Sequence, residues 1–183
     1  MSRFVLSDER YEEIKELVVD MFEKYRITCV PISGFEIAMR MGVRVVPYSA
    51  FEEGIRTLMI KKSIDGFTKL DCGNYTIYYN DAKGYGRINN TIMHEVGHIV
   101  LGHLEESELA EAEVRFFAKY ALAPPALIHK FKLSSPSEVA DVFNVSYEAA
   151  TYAYSYYQKW LYYGNSNYTA YEKRTLSLFR EVM

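Results

Sequence analysis

Cysteine is scarce: Cys29 and Cys72 are the only two, far apart and outside any CxxC pair. That excludes a disulfide framework and a cysteine-rich metal knuckle, and it fits free thiols in a reducing compartment. Excess positive charge is also missing. A formal net charge of −3 and a pI near 5.9 give no electrostatic footprint for nucleic acid, so no direct nucleic-acid binding is expected. No window approaches the roughly 20 apolar residues that span a bilayer. The opening MSRFVLSDERYEE turns polar too early for an export leader, so a cytoplasmic protein without a membrane anchor is expected. Repeats and low-complexity linkers are absent too, which leaves one domain over 1–183 as the expected organisation.

What is present is enough apolar residue for a sizeable core, 49% of the chain against 25% charged. Tyr11, Ile14, Leu17, Val18, Met21, Phe22 and Tyr25 recur at helical spacing, which predicts a helix over 8–25 capped by Ser7. Ser33 with Glu36 forms a capping box for a short helix ending near Gly42, and Val43 to Tyr48 reads as a strand. Ser49 with Glu52 suggests a further helix over 50–62, with Phe51, Ile55, Leu58 and Met59 on one face. Phe67–Leu70 and Tyr75–Tyr79 read as strands joined through Asp71-Cys72-Gly73-Asn74. Helices are then expected over about 87–101, 107–122, 125–131, 136–143, 146–163 and 169–181. Helices, a small sheet, then helices again make an α+β fold rather than alternating βαβ units.

The chemistry is concentrated in Asn90-Thr91-Ile92-Met93-His94-Glu95-Val96-Gly97-His98-Ile99-Val100-Leu101. His94 and His98 are one helical turn apart, so their imidazoles share a face and converge on one ion. Zinc accepts neutral imidazole nitrogens at about 2.0–2.1 Å. Glu95 points beside such an ion and is placed to take a proton from attacking water and return it to a leaving amine. Burying these polar groups among Ile92, Met93, Ile99 and Leu101 is costly unless they are satisfied.

A catalytic zinc needs a third protein ligand and an open position. The register that would continue HExxH with a third histidine carries Leu104, and His103 is one residue off it, just past the helix-breaking Gly102. His103 therefore reads as a residue that meets the helix dipole, with ligation as its alternative. Glu108, Glu111 and Glu113 remain. Glu113 has Leu109, Ala110, Phe116 and Phe117 as helical neighbours, an apolar setting in which an acid needs a partner: a metal, or alternatively Arg87 or Arg115. Glu111 sits beside Ser107, Glu108, Val114 and Arg115 and reads as a solvated edge. Glu113 is thus the expected third ligand, with Glu108 and His103 as alternatives. Tyr78, Tyr79, Tyr85 and His129 are candidate neutral donors to a tetrahedral oxyanion.

The stretch from Arg87 through Thr91–His103, then Glu113-Val114-Arg115-Phe116-Phe117-Ala118 and Leu122-Ala123-Pro124, resembles the ImmA/IrrE metallopeptidases, with weaker echoes at Ile77–Asn80 and Val139–Ser146. The resemblance spans roughly 30–160. It departs where Val114-Arg115 replaces the Ala-Asn or Ala-Asp that usually follows the glutamate. It implies a mostly helical zincin-like domain, a zinc ion on His94, His98 and Glu113, and Glu95 as the base. It further implies a protein substrate: helix-turn-helix repressors of mobile elements or stress loci. Residues 136–153 have a helix-turn-helix pattern of their own, but the second helix offers tyrosines and no Arg or Lys before Lys159. Two packed helices or a docking surface fit it better. A regulatory protein that docks a partner without turnover is the alternative function, and an intact Glu95 argues against it.

Overall fold

The computed structural model describes residues 5–105, 107–164 and 168–179. Helix α1, Asp8–Lys24, starts where Ser7 accepts the Arg10 N–H and carries Asp8 and Glu9 in its first turn, as the helix dipole favours. Its Ile14, Val18, Val19, Met21 and Phe22 are buried. The short α2, Gly34–Arg40, is capped by Ser33, and Gly42 leaves it at positive φ.

Three strands follow: β1 (Arg44–Pro47), β2 (Gly66–Asp71) and β3 (Asn74–Tyr79), in the order β1-β3-β2. β1 runs parallel to β3 with Val45 opposite Ile77, and β2 is antiparallel to it with Thr68 opposite Ile77. The β2–β3 turn places Cys72 and Gly73 at positive φ (47° and 78°), the primed geometry that a two-residue hairpin loop requires. Because strand side chains alternate, Phe67 and Tyr78 share one face, where they pack with Tyr48 and Phe51. Thr68, Leu70, Tyr75 and Ile77 share the other.

Between β1 and β2 lie a 3-10 turn, Tyr48–Ala50, and helix α3, Glu53–Lys62. Here the structure corrects the sequence expectation. Ser49 belongs to the 3-10 turn and gives its backbone N–H to Asp81, so α3 starts later and has no side-chain cap. Of its expected inward face only Met59 is buried, while Ile55 and Leu58 are 48% and 64% exposed.

The remainder is helical: α4 (Tyr85–Leu101), α5 (Glu108–Leu122), α6 (Pro125–Lys130), α7 (Pro136–Phe143), α8 (Tyr147–Tyr163) and α9 (Ala170–Leu178). Residues 180–181, expected to extend the last helix, lie outside the described residues. The fold is α+β and mostly helical, with the small sheet preceding α4. One apolar cluster runs from Leu6 to Phe179 and takes in Phe22, Ile37, Ile92, Phe117 and Phe143. α4 lies across this core, flanked by α2, α5 and the sheet. No helix among the described residues is long and apolar enough to cross a membrane. Both cysteines are exposed, and neither is in a disulfide.

Candidate metal centre

α4 and α5 approach closely at Gly97. A Cβ there would lie 3.0 Å from Phe117 Cδ1 and 3.4 Å from Val114 Cβ, so any larger residue would crowd these α5 side chains. The contact brings Glu111 of α5 alongside the histidine pair. His94 Nε2 lies 3.7 Å from Glu111 Oε2, and His98 Nε2 lies 3.4 Å from Glu111 Oε1. One donor atom from each of His94, His98 and Glu111 falls within 4.8 Å of the others.

Two imidazole nitrogens and a carboxylate oxygen are a donor set that zinc and similar divalent ions accept. Ligands about 2 Å from a tetrahedral ion stand about 3.3 Å apart, close to the two nitrogen–oxygen separations here. The residues therefore fit a metal ion. Burial pushes the His94 imidazole down to about 4, against a smaller upward pull from Glu111. A neutral imidazole is the form that donates to a metal.

Glu113, the expected third ligand, is not among these groups. Its carboxylate accepts from Arg10 Nε at 2.7 Å and Arg10 Nη2 at 3.1 Å, and it meets His103 Nε2 at 2.8 Å. Arg10 holds the Glu113 carboxyl below the usual carboxylate range, with His103 adding to the effect against burial. The geometric reason is simple. Two residues along a helix turn the side chain by about 200°, so Glu111 and Glu113 face nearly opposite ways. An apolar setting identifies the core-facing acid. An acid facing a solvent-filled cleft stays half-exposed, and Glu111 does, at 38%. The alternatives fall elsewhere: Glu108 is outside the cluster, Arg87 pairs with Asp65, and Arg115 Nε donates to the Glu111 backbone carbonyl.

His103 does more than meet a helix dipole. Gly102, at φ 72°, ends α4 in the left-handed conformation, and the His103 N–H returns to the His98 carbonyl at 3.0 Å. That turn folds the His103 ring back, its Nδ1 3.2 Å from His98 Nδ1.

Glu95 is 7% exposed and accepts the Thr68 hydroxyl at 2.7 Å on Oε2. It opens with His94, His98 and Glu111 onto a cleft of about 240 Å³ that Phe67, Leu70, Tyr75, Ile99 and Leu104 also line. Tyr78, Tyr79, Tyr85 and His129, the expected oxyanion donors, do not line it. His129 instead bonds Tyr157 at 2.9 Å and faces a separate cavity of about 1320 Å³ near Trp160 and Tyr168. Tyr75 lines this cleft, and the strand pattern alone gave no reason to choose it over Tyr78 or Tyr79.

A sequence model of a peptidase family, described as the IrrE N-terminal-like domain, matches residues 38–155. No curated protein and no solved structure matches the chain.

Proposed function

The chain belongs to the IrrE N-terminal-like family of peptidases, and we propose that it is a zinc-dependent endopeptidase whose metal is held by His94, His98 and Glu111. The observation that supports this most directly is the convergence of those three donors beside a buried, hydrogen-bonded Glu95. When bound, zinc polarises a peptide carbonyl and lowers the pKa of water enough to make it a nucleophile at neutral pH.

The side chains supply the rest. Glu95 neighbours the metal ligands without being one, so its carboxylate takes the proton of the attacking water and hands it to the departing amine. The Thr68 hydroxyl, donated to Oε2, fixes that carboxylate's orientation. The Tyr75 phenol is the neutral donor best placed for the developing oxyanion. Phe67, Leu70, Ile99 and Leu104 offer apolar walls for residues flanking the scissile bond.

The substrate in this reading is a helix-turn-helix repressor in the same cytoplasm, a choice that rests on the ImmA/IrrE resemblance. The test is incubation with the repressor encoded beside this chain's gene, using wild type and Glu95→Gln. Cleavage is expected from wild type. Glu95→Gln should cut about 10²–10⁴-fold more slowly, bind zinc unchanged and retain the repressor as a complex. If wild type cleaves no neighbouring repressor and both proteins relieve repression equally, the chain acts by docking and the peptidase reading fails.

A further inference from the structure

Behind the donor cluster runs a chain of hydrogen-bonded side chains whose direction the His98 tautomer sets. His98 turns Nε2 toward Glu111 and Nδ1 toward His103. A neutral imidazole carries a single proton. If His98 Nε2 gives its lone pair to a cation, its proton sits on Nδ1 and must be donated. His103 Nδ1 is then the acceptor, which puts the His103 proton on Nε2, 2.8 Å from Glu113 Oε2. Glu113 takes it as a carboxylate, gripped on both oxygens by the fork of Arg10 at 2.7 and 3.1 Å. Each donor meets an acceptor, and the assignment at His98 settles all the others.

We propose that Arg10 is a positioning residue for the metal centre, acting through Glu113 and His103 to fix the ring orientation and tautomer of His98. The inference rests on the metal site proposed above. Three features single out Arg10. It sits on α1, outside the stretch 38–155 that the family model matches. It reaches a carboxylate 103 residues away whose side chain is only 7% exposed. The helix that carries it is anchored by Ile14 and Val18, both fully buried, so the guanidinium arrives already placed. Without the fork, Glu113 turns freely about its last torsion, His103 loses a fixed acceptor, and the His98 ring loses the partner that aims it.

The test uses full-length protein and two readouts independent of peptide cleavage: zinc affinity by chelator competition, and the protonation pattern of the His103 ring by nitrogen-resolved nuclear magnetic resonance. Arg10→Met keeps the apolar stem of this partly exposed residue. It is expected to bind one zinc per chain at saturation but 10–100-fold more weakly, the usual loss when a ligand's outer partner is removed. Arg10→Lys, with charge but no fork, should recover part of that loss. Zinc-loaded wild type should show His103 protonated on Nε2, with that proton's resonance displaced in Arg10→Met. Glu113→Gln provides a second route to the same loss. Zinc affinity within twofold of wild type in a folded Arg10→Met, or His103 protonated on Nδ1 in the zinc-loaded protein, overturns the proposal. If Glu111→Gln and His94→Ala keep wild-type affinity, the metal-site reading itself has failed, a result distinct from the loss of Arg10's role alone.

Discussion

Replacing Gly97 by alanine sets two effects of known size against each other. In an open helix the change stabilises by roughly 0.8–1.0 kcal/mol through helix propensity. At this position the added methyl meets Phe117 Cδ1 at 3.0 Å and Val114 Cβ at 3.4 Å, and both neighbours are fully buried. Forcing an extra methyl into a packed interior costs about 1–3 kcal/mol. Overpacking therefore wins, by about 1 kcal/mol in the middle of that range. For a chain of this size that lowers the melting temperature by roughly 2–4 °C. The strain also has a direction: it pushes α5 away from α4 and lengthens the 3.4 Å separation of His98 Nε2 and Glu111 Oε1. Thermal unfolding of Gly97→Ala, with chelator and with excess zinc, reads both consequences. The chelated protein should melt lower, and the rise produced by zinc should be smaller than in wild type, because weaker binding to the native state stabilises it less. A melting temperature at or above wild type in chelator would show that α4 and α5 have slack at this contact and refute the argument.

Two further expectations concern α5. Glu111→Ala should lose its metal under dialysis that leaves wild type loaded, as measured by elemental analysis; full occupancy would return the third-ligand assignment to another residue. Ser107→Ala removes the side chain that accepts the Ala110 N–H at 3.0 Å, and losing such a cap costs about 1 kcal/mol. It should lower the melting temperature by roughly 2–4 °C without altering zinc stoichiometry, and a change in stoichiometry would mean that the cap also sets the ligand geometry.

What the sequence disclosed was whatever local periodicity encodes. The caps at Ser7 and Ser33, the α4 spacing that puts His94 beside His98, and the turn at Cys72-Gly73 are short-range patterns, and the structure contains each of them. Ser49 misled because a 3-10 turn competes for the same residues, and a single capping signal cannot separate the two. α3 misled because no element among the described residues covers its apolar face, which only tertiary structure reveals. The sequence pointed to Glu113, and Glu111 stands beside the histidines instead, for a related reason. The rule that a buried acid needs a partner held for Glu113, but the partner was Arg10, from a helix a hundred residues earlier, and no helical wheel reaches that far. Thr68 and Tyr75 carry no signal of their own, and strand register alone brings them to the cleft.

The placement of α1 bears on how this protein can be divided. The family-matched stretch, 38–155, holds every residue that faces the cleft, and a protein engineer would take it as the unit to excise. Yet α1 packs against α5 and α9, Glu12 of α1 accepts the Tyr171 hydroxyl of α9, and Arg174 of α9 pairs with Asp20 and Glu23 of α1. α1 and α9 thus form a clasp, with α1 lying against α5. Excision would open that clasp, strip Tyr11 and Tyr156 from the Phe116 ring, and strand the Glu113 charge without its guanidinium. The excised piece would keep the cleft and lose the brace behind it.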